Sequence, residues 1–297
     1  MNERDLIARL RSLAGPGAFE LLDDAAQLSV GPDQALVIST DTMVEGVHFP
    51  RGRIGGGFSE RLLRTALSDL AAKAARPVGY TLNLSWPSGR DARWLDGFAQ
   101  GLSDAQSSFD CPLLGGDTTG GTDVLVASAT VFGVVPEGGM VRRSGARAGD
   151  NLVHTGWLGR AEKGLAIVTG QAVDLDAETF RLCEEAYLRP GPRFSLRKAL
   201  RRHASACADI SDGVVSEAGH IARASGLRAD ISPDVAEAGR FGDDYELLIA
   251  VPDDALDALT EAARRVGLPI TPCGRLSEGE GVYVDGRPAE GGYRHSL

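Results

Sequence analysis

"ADISDGVVSE", residues 208–217, carries two aspartates three positions apart with a serine between them, then a glycine and a short apolar run. "ACADI" (206–210) reads as a short strand ending, and "GVVSEAGHIARA" (213–224) as a helix beginning. A helix cap accounts for one of the carboxylates, because Asp and Ser oxygens accept the unpaired amide protons of a first helical turn. Asp212 before Gly213 also suits a tight turn. Two carboxylates at one strand end repel, however, by roughly 4 kcal/mol for unit charges about 4 Å apart at an effective dielectric near 20. A cation between them removes that cost.

Other stretches have the same character. "ALVISTDTMVEGVHF" (35–49) is a strand of small and β-branched residues that runs into Ser39, Thr40 and Asp41. "CPLLGGDTTGG" (111–121) reads as a short buried strand stopping at Gly115-Gly116 and presenting Asp117. In "SERLLRTALSDLAAKAARP" (59–77) the apolar positions have a helical period, and Asp69 lies on or beside the apolar stripe. An uncompensated charge so placed is costly. "LLDDAAQL" (21–28) and "FGDDYELLIAV" (241–251) each set an acidic pair beside an apolar run. Singly, each of these is a turn or a cap. Together, flanked by hydroxyls and glycines, they read as hard-oxygen ligands for Mg²⁺ or Ca²⁺ rather than zinc.

Length and composition narrow the partners. The 297 residues are 43% hydrophobic, enough for a sizeable core and for two domains. A net charge of −10 argues against a nucleic-acid or anionic-membrane partner, and the basic stretch "RPGPRFSLRKALRRH" (189–203) has the helical spacing of a solvated face. Four cysteines, at 111, 183, 207 and 273, form no CxxC pair and sit in apolar surroundings. They read as buried free thiols in a reducing compartment. The amphipathic, charged "MNERDLIARLRSLAG" is not a signal peptide, and no run reaches transmembrane length, so the expected location is cytoplasmic.

Strands and helices alternate in both halves, which predicts α/β to α+β layers. Strands are expected at 35–41, 79–86, 111–116 and 123–135, with helices at 59–75 and 91–107. "GYTLNLSW" (79–86) alternates, placing Tyr80, Leu82, Leu84 and Trp86 on one face. The long strand 123–135, small on one side, suits pairing across a subunit boundary. The Gly- and Arg-rich "PEGGMVRRSGARAGD" (136–150) marks a domain boundary, giving domains 1–140 and 141–297. In the second half, "NLVHTGWLG", "LRADIS", "YELLIAV" and "ITPCGRL" read as strands, with helices near 160–169, 177–188, 193–203 and 254–266.

Gathered carboxylates call for cations, and cations shared with substrate phosphates call for a nucleotide or phosphate ester. No GxxxxGK[ST] is present, "GRAEKG" (159–164) lacking its spacing and its Ser/Thr, and there is no HRD or DFG. There is no GxSxG, and the histidines at 48, 154, 203, 220 and 295 are scattered, so a hydrolytic triad fits poorly. An acceptor that is itself a phosphate is already ionised at pH 7 and requires no general base. Positioning and charge neutralisation by metals suffice.

"LLDDAA", "STDTMVEGVHF", "LSDLAAKAARP", "LLGGDTT", "RRSGARAGD", "ADISDG" and "GDDYELL", in that order, resemble the thiamine-monophosphate kinase family, of the superfamily shared with aminoimidazole ribonucleotide synthetase and selenophosphate synthetase. The match spans nearly the whole chain. It implies ATP-dependent, in-line phosphorylation of thiamine monophosphate to thiamine diphosphate with several Mg²⁺ ions. It also implies a homodimer whose N-terminal domains form a shared β-barrel, each followed by a C-terminal α+β domain. By motif, the resemblance implies that Asp24, Ser39, Thr40, Asp41, Asp69, Asp117, Asp209 and Asp212 are metal ligands, with Asp41, Asp117 and Asp212 central to catalysis. Gly116, Asp117, Arg143 and Ser211 match nucleotide-contacting positions, and His48, Asp243 and Tyr293 match positions that hold thiamine phosphate. A flat cationic thiazolium suits an aromatic face and a nearby carboxylate. Leu22, Lys73-Ala74 and Asp243 depart from the family's usual residues, and the stretch between Asp212 and Asp243 is short.

Two other readings stand beside this one. A sister synthetase of the aminoimidazole ribonucleotide type shares the architecture. The second is a noncatalytic divalent-cation-binding protein, although such a module ordinarily gathers its ligands in one short loop, as an EF-hand does.

Overall fold

The computed structural model describes residues 3–22, 24–52, 55–87, 89 and 92–292. They form two compact units, Met1–Leu70 with Arg76–Gly138 and Val168–Gly170, and Ala71–Ala75 with Gly139–Ile167 and Gln171–Leu297. Among the described residues no helix is long and apolar enough to cross a membrane. All four cysteines are free and buried, and burial pushes the Cys111 and Cys207 thiols up to about 12.

The first unit runs α1 (Glu3–Leu10), β1 (Gln34–Val44), α2 (Phe58–Ala72), β2 (Arg76–Pro87), α3 (Ala92–Phe109), β3 (Leu113–Thr122) and β4 (Val126–Pro136). Its sheet has the order β1-β4-β2-β3. β4 is antiparallel to both neighbours, while β2 and β3 are parallel. Alternation decides which side is dry: Val37, Met43, Tyr80, Leu82, Leu84, Ala127, Ala129 and Val131 are buried. The apolar stripe of α2 (Leu62, Leu63, Ala66, Leu67, Leu70) and that of α3 (Leu95, Phe98, Leu102) are buried as well. Phe58 stacks on Phe49 at 4.4 Å and meets Phe98 at 5.7 Å, and Trp86 sets its edge against Phe98 at 5.8 Å. Each such side chain contributes about 1.5–3 kcal/mol on burial.

The other sheet face is different. Leu36 and Ile38 of β1 are 41% and 56% exposed. Beyond them come the hydroxyl pairs Thr40–Thr130 at 3.1 Å and Thr42–Ser128 at 2.6 Å.

Two expectations for this unit change. Both edges of β4 are occupied within the chain, by β1 and β2, so this strand has no edge for a partner. β3 continues to Thr122, past the expected stop at 116, because its glycines and threonines pair in register with β2, Gly116 opposite Leu82 and Asp117 opposite Asn83. Gly116 is needed for that approach: a Cβ there would lie 1.8 Å from the Leu82 carbonyl oxygen.

The second unit contains β5 (Asn151–Thr155), α4 (Arg160–Val168), α5 (Ala177–Leu188), α6 (Arg197–His203), β6 (Ala206–Asp209), α7 (Val214–Ser225), β7 (Arg228–Ile231), α8 (Pro233–Ala238), β8 (Leu247–Val251), α9 (Asp253–Arg265), β9 (Ile270–Ser277), β10 (Gly281–Val284) and β11 (Arg287–Pro288). The sheet order is β11-β10-β7-β9-β5-β8-β6. Its central strands are covered on both sides. Leu152, Ala206, Ala208, Leu248 and Ala250 join a core with Ala218 and Ile221 of α7. Val153, Cys207, Leu247, Ile249 and Val251 join another with Leu200 of α6 and Leu259 of α9. A strand buried on both faces reads as a continuous apolar run, which is why "LLIAV" lacks alternation. The expected helix 193–203 begins as a 3₁₀ turn over Phe194–Leu196 and becomes α-helical only at Arg197. The short α8, β10 and β11 have too few residues to show a period.

Candidate active site

At the β6–α7 junction the N-cap residue is not an aspartate. Gly213 occupies the N-cap with φ +101° and has no side chain to offer. The junction is built instead against the Gly242–Glu246 stretch. The β6–β8 ladder ends with Asp209 opposite Leu247. Beyond it the Ile210 N–H donates to the Glu246 carbonyl at 2.7 Å, the Tyr245 N–H to the Ile210 carbonyl at 2.9 Å, and the Asp243 N–H to the Ser211 carbonyl at 2.7 Å. Gly242, at φ +84°, lies so close that a Cβ would sit 2.3 Å from the Ser211 oxygen. The two acidic motifs are therefore neighbours. Asp209 is 4% exposed, and Ser211, Asp212 and Asp243 are half-buried.

Other expected residues of this unit take defined positions. The Arg143 guanidinium pairs with Glu217 at 3.3 Å, and the same carboxylate, 1% exposed, meets His220 Nδ1 at 3.1 Å. A groove of about 820 Å³ runs between α7 and the chain around β10, lined by Asp212, Ser216, His220, Arg223, Tyr283 and Glu290 among others. Gly291 and Gly292 pack directly on Val215 and Ser216, where a Cβ would approach within 3.1 and 2.7 Å. Tyr293, which follows them, lies outside the described residues.

In the first unit the Ser39 hydroxyl donates to Asp69 Oδ2 at 2.5 Å, joining β1 to α2. Asp41 shares the Ser39 face of β1, two residues on. Thr40 faces the other way, onto the open side, with its hydroxyl against Thr130. Asp117 is exposed on β3, and Asp24 is exposed in the loop after the 3₁₀ segment Pro16–Leu21. His48 Nδ1 accepts the Val44 N–H at 3.0 Å, which puts the proton of the neutral ring on Nε2. Among the described residues no group of three or more His, Cys, Asp and Glu side chains forms a metal centre by itself. The donors present are carboxylate and hydroxyl oxygens, the set that suits Mg²⁺, which takes one or two carboxylates and completes its shell with water and phosphate oxygens.

The sequence groups Asp244 with Asp243 as one acidic pair and puts Arg193 on a basic face expected to be solvated, and it marks neither Glu217 nor Glu246. Asp244 accepts the N–H groups of Gly159 at 2.9 Å and Ala161 at 3.3 Å, capping α4. Glu246, 3% exposed, accepts the Thr155 hydroxyl at 2.7 Å and the Trp157 N–H at 3.3 Å, and is gripped by both prongs of Arg193. The signal was the acidic spacing in "GDDYELL", but the partners lie 53 to 91 residues away.

Residues 22–135 match the model for AIR synthase related protein, N-terminal domain, and residues 147–287 that for the C-terminal domain. The thiamine-monophosphate kinase of Caulobacter vibrioides is 42% identical over 323 aligned residues, covering 99% of this chain and 90% of the relative. The chain belongs to the thiamine-monophosphate kinase family. Its fold is the two-domain AIR synthase-like one with mixed sheets. The family's crystal structure from Stenotrophomonas maltophilia K279a superposes with a TM-score of 0.85 at 36% identity, covering 97% of this chain and 98% of that one. AaThiL complexed with AMPPCP and TMP gives 0.80 at 26% identity, covering 100% and 99%. The Caulobacter alignment is longer than the present chain, so that kinase carries segments missing here.

Burial raises the Asp244 carboxyl from 3.8 to about 7, against the two N–H bonds that lower it, with Glu246 and Asp243 adding repulsion. The folded protein thus holds this proton more tightly than the unfolded chain. The resulting stability is complete below pH 3.8 and is lost as pH rises through about 7. Its size is on the order of 4 kcal/mol. Urea unfolding of wild type and Asp244→Asn is expected to show the wild type losing stability relative to the variant from about pH 4 to about pH 8. A constant difference between them across that range contradicts the assignment.

Proposed function

We propose that the chain transfers the γ-phosphoryl group of ATP to the phosphate of thiamine monophosphate, forming thiamine diphosphate and ADP. The observation that carries this reading is near-complete coverage by named thiamine-monophosphate kinases, together with likeness to a structure holding AMPPCP and TMP. The sister-synthetase and cation-module readings have no such support.

The acceptor phosphate oxygen attacks the γ-phosphorus in line as the bond to the β-bridging oxygen breaks. The attacking oxygen is already ionised, so the protein's work is to position and to stabilise charge. Mg²⁺, when bound, supplies the positive charge that offsets the crowded phosphates. In the first unit its ligands would be Asp24, Ser39, Asp41, Asp69 and Asp117, with Thr40 offering its main-chain oxygen because its hydroxyl faces away. In the second they would be Asp209 and Asp212. Asp41, Asp117 and Asp212 would carry most of the catalytic effect. Gly116, where no side chain fits, Asp117, Ser211 and Arg143, steadied by Glu217, would contact the nucleotide. His48, Asp243 and Tyr293 would hold thiamine monophosphate.

Residues 1–140 would thus serve nucleotide, metal and dimerisation, and residues 141–297 would form the second domain. The homodimer would bury the open face of the first unit's sheet. Leu36 and Ile38 are large apolar side chains left exposed there beside paired hydroxyls, and a face of that kind marks an association surface.

A product assay by chromatography is expected to show thiamine diphosphate and ADP in equal amounts from thiamine monophosphate and ATP, with no phosphorylation of thiamine. Turnover of thiamine or of an aminoimidazole ribonucleotide precursor in preference to the monophosphate overturns the proposal. Ile38→Glu is expected to shift the sedimentation of the protein from dimer to monomer, and a variant that stays dimeric removes this face from the interface.

A further inference from the structure

We propose that Asp244 and Glu246 are positioning residues that hold Asp243 in place for the substrate, rather than ligands themselves. The inference rests on the reading of Asp243 as a contact to thiamine monophosphate.

The backbone at this point cannot hold its shape alone. Gly242, Asp243 and Tyr245 have φ of +84°, +65° and +51°, and for the two non-glycine residues the left-handed region is unfavourable. Such conformations persist where surrounding bonds over-determine them. On one side the bonds are those of the Asp243 and Tyr245 N–H groups to Ser211 and Ile210. On the other side Asp244 and Glu246 act. They reach the 155–161 turn, taking the N–H groups of Gly159, Ala161 and Trp157 and the Thr155 hydroxyl. The Thr155 oxygen in turn accepts the Leu247 N–H at 2.9 Å, closing the loop of bonds. Arg193 holds Glu246 with both prongs.

The fit is tight. A Cβ at Gly156 would fall 1.8 Å from Glu246 Oε1, so the turn closes on this carboxylate with no room to spare. Asp244 and Glu246 are 8% and 3% exposed, and their oxygens are engaged by these donors. Anchored to the 155–161 turn just after Asp243 in the chain, they are its support. A misplacement of about 1 Å at a binding group is worth up to roughly a hundredfold in rate.

Steady-state kinetics on the full chain test this with Asp243→Asn, Asp244→Asn, Glu246→Gln and the double variant Asp243→Asn/Asp244→Asn. Asp244→Asn and Glu246→Gln are expected to raise KM for thiamine monophosphate about tenfold or more, leaving KM for ATP within about twofold. The double variant should be no worse than Asp243→Asn alone, since both act through one contact. If Asp243→Asn leaves the thiamine monophosphate KM unchanged, the substrate reading of Asp243 fails, and this proposal with it. If Asp243→Asn raises that KM but Asp244→Asn and Glu246→Gln only lower melting temperature and kcat, Asp243 stands and the positioning role is overturned. Arg193→Lys, which keeps the charge and gives up one prong, covers the case of a variant that does not fold. A smaller rise in the same KM supports the role, and an unchanged KM contradicts it.

Discussion

The hydrogen bonds that run on past the end of the β6–β8 ladder, from Ile210–Glu246 to Ser211–Asp243, are the interaction on which the second unit's chemistry depends. They set two acidic segments side by side where the strands end. Carboxylates that close are tolerable only with compensation. Asp244 and Glu246 find it in backbone amides, a hydroxyl and Arg193. Asp212, just before α7 and on the wall of the groove, is not the N-cap residue of that helix, because Gly213 holds that position. Of these four acidic residues, Asp244 and Glu246 fasten the chain, and Asp212 and Asp243 are the two proposed to serve the reaction.

The first unit solves a parallel problem with a sheet of two unlike faces. Its dry face is packed by the α2 and α3 stripes, and on that side Ser39 and Asp69 meet at 2.5 Å. Its other face carries Ile38, Leu36 and the paired hydroxyls of Thr40, Thr42, Ser128 and Thr130. One strand, β1, thus contributes alternate residues to a polar cluster and to an apolar, hydroxyl-lined surface, which follows from its period of two.

Much of this was legible in the sequence, for identifiable reasons. The alternation of "GYTLNLSW" gave the faces of β2, and the helical stripe around Asp69 gave α2, because both patterns record burial directly. Ser39 and Asp69 could be suspected but not paired, since the 30-residue separation has no local signature. "GGDTTGGT" looked like a strand end because glycine is a poor strand former, yet pairing with β2 carries it through. Adjacency groups Thr40 with Ser39 and Asp41, whereas the pleat sends its hydroxyl to the opposite face. Glu217, Asp244 and Glu246 were invisible as supports because their partners come from distant segments and, for the last two, include main-chain N–H groups that sequence does not distinguish. The N-cap position falls to Gly213, whose positive-φ backbone lies against the Gly239 and Arg240 carbonyls, a tertiary contact with no local signature.

The proposed reaction depends on acidic oxygens that hold magnesium against a nucleotide. Calorimetric titration of AMPPCP into the protein, with and without Mg²⁺, tests this most directly when wild type is compared with Asp69→Asn and Asp212→Asn. Binding is expected to depend on Mg²⁺ in the wild type and to be lost in both variants while their melting temperatures stay within about 5 °C of the wild type's. Equal binding without the metal, or variants that bind Mg²⁺ and the analogue as the wild type does, would contradict the proposal.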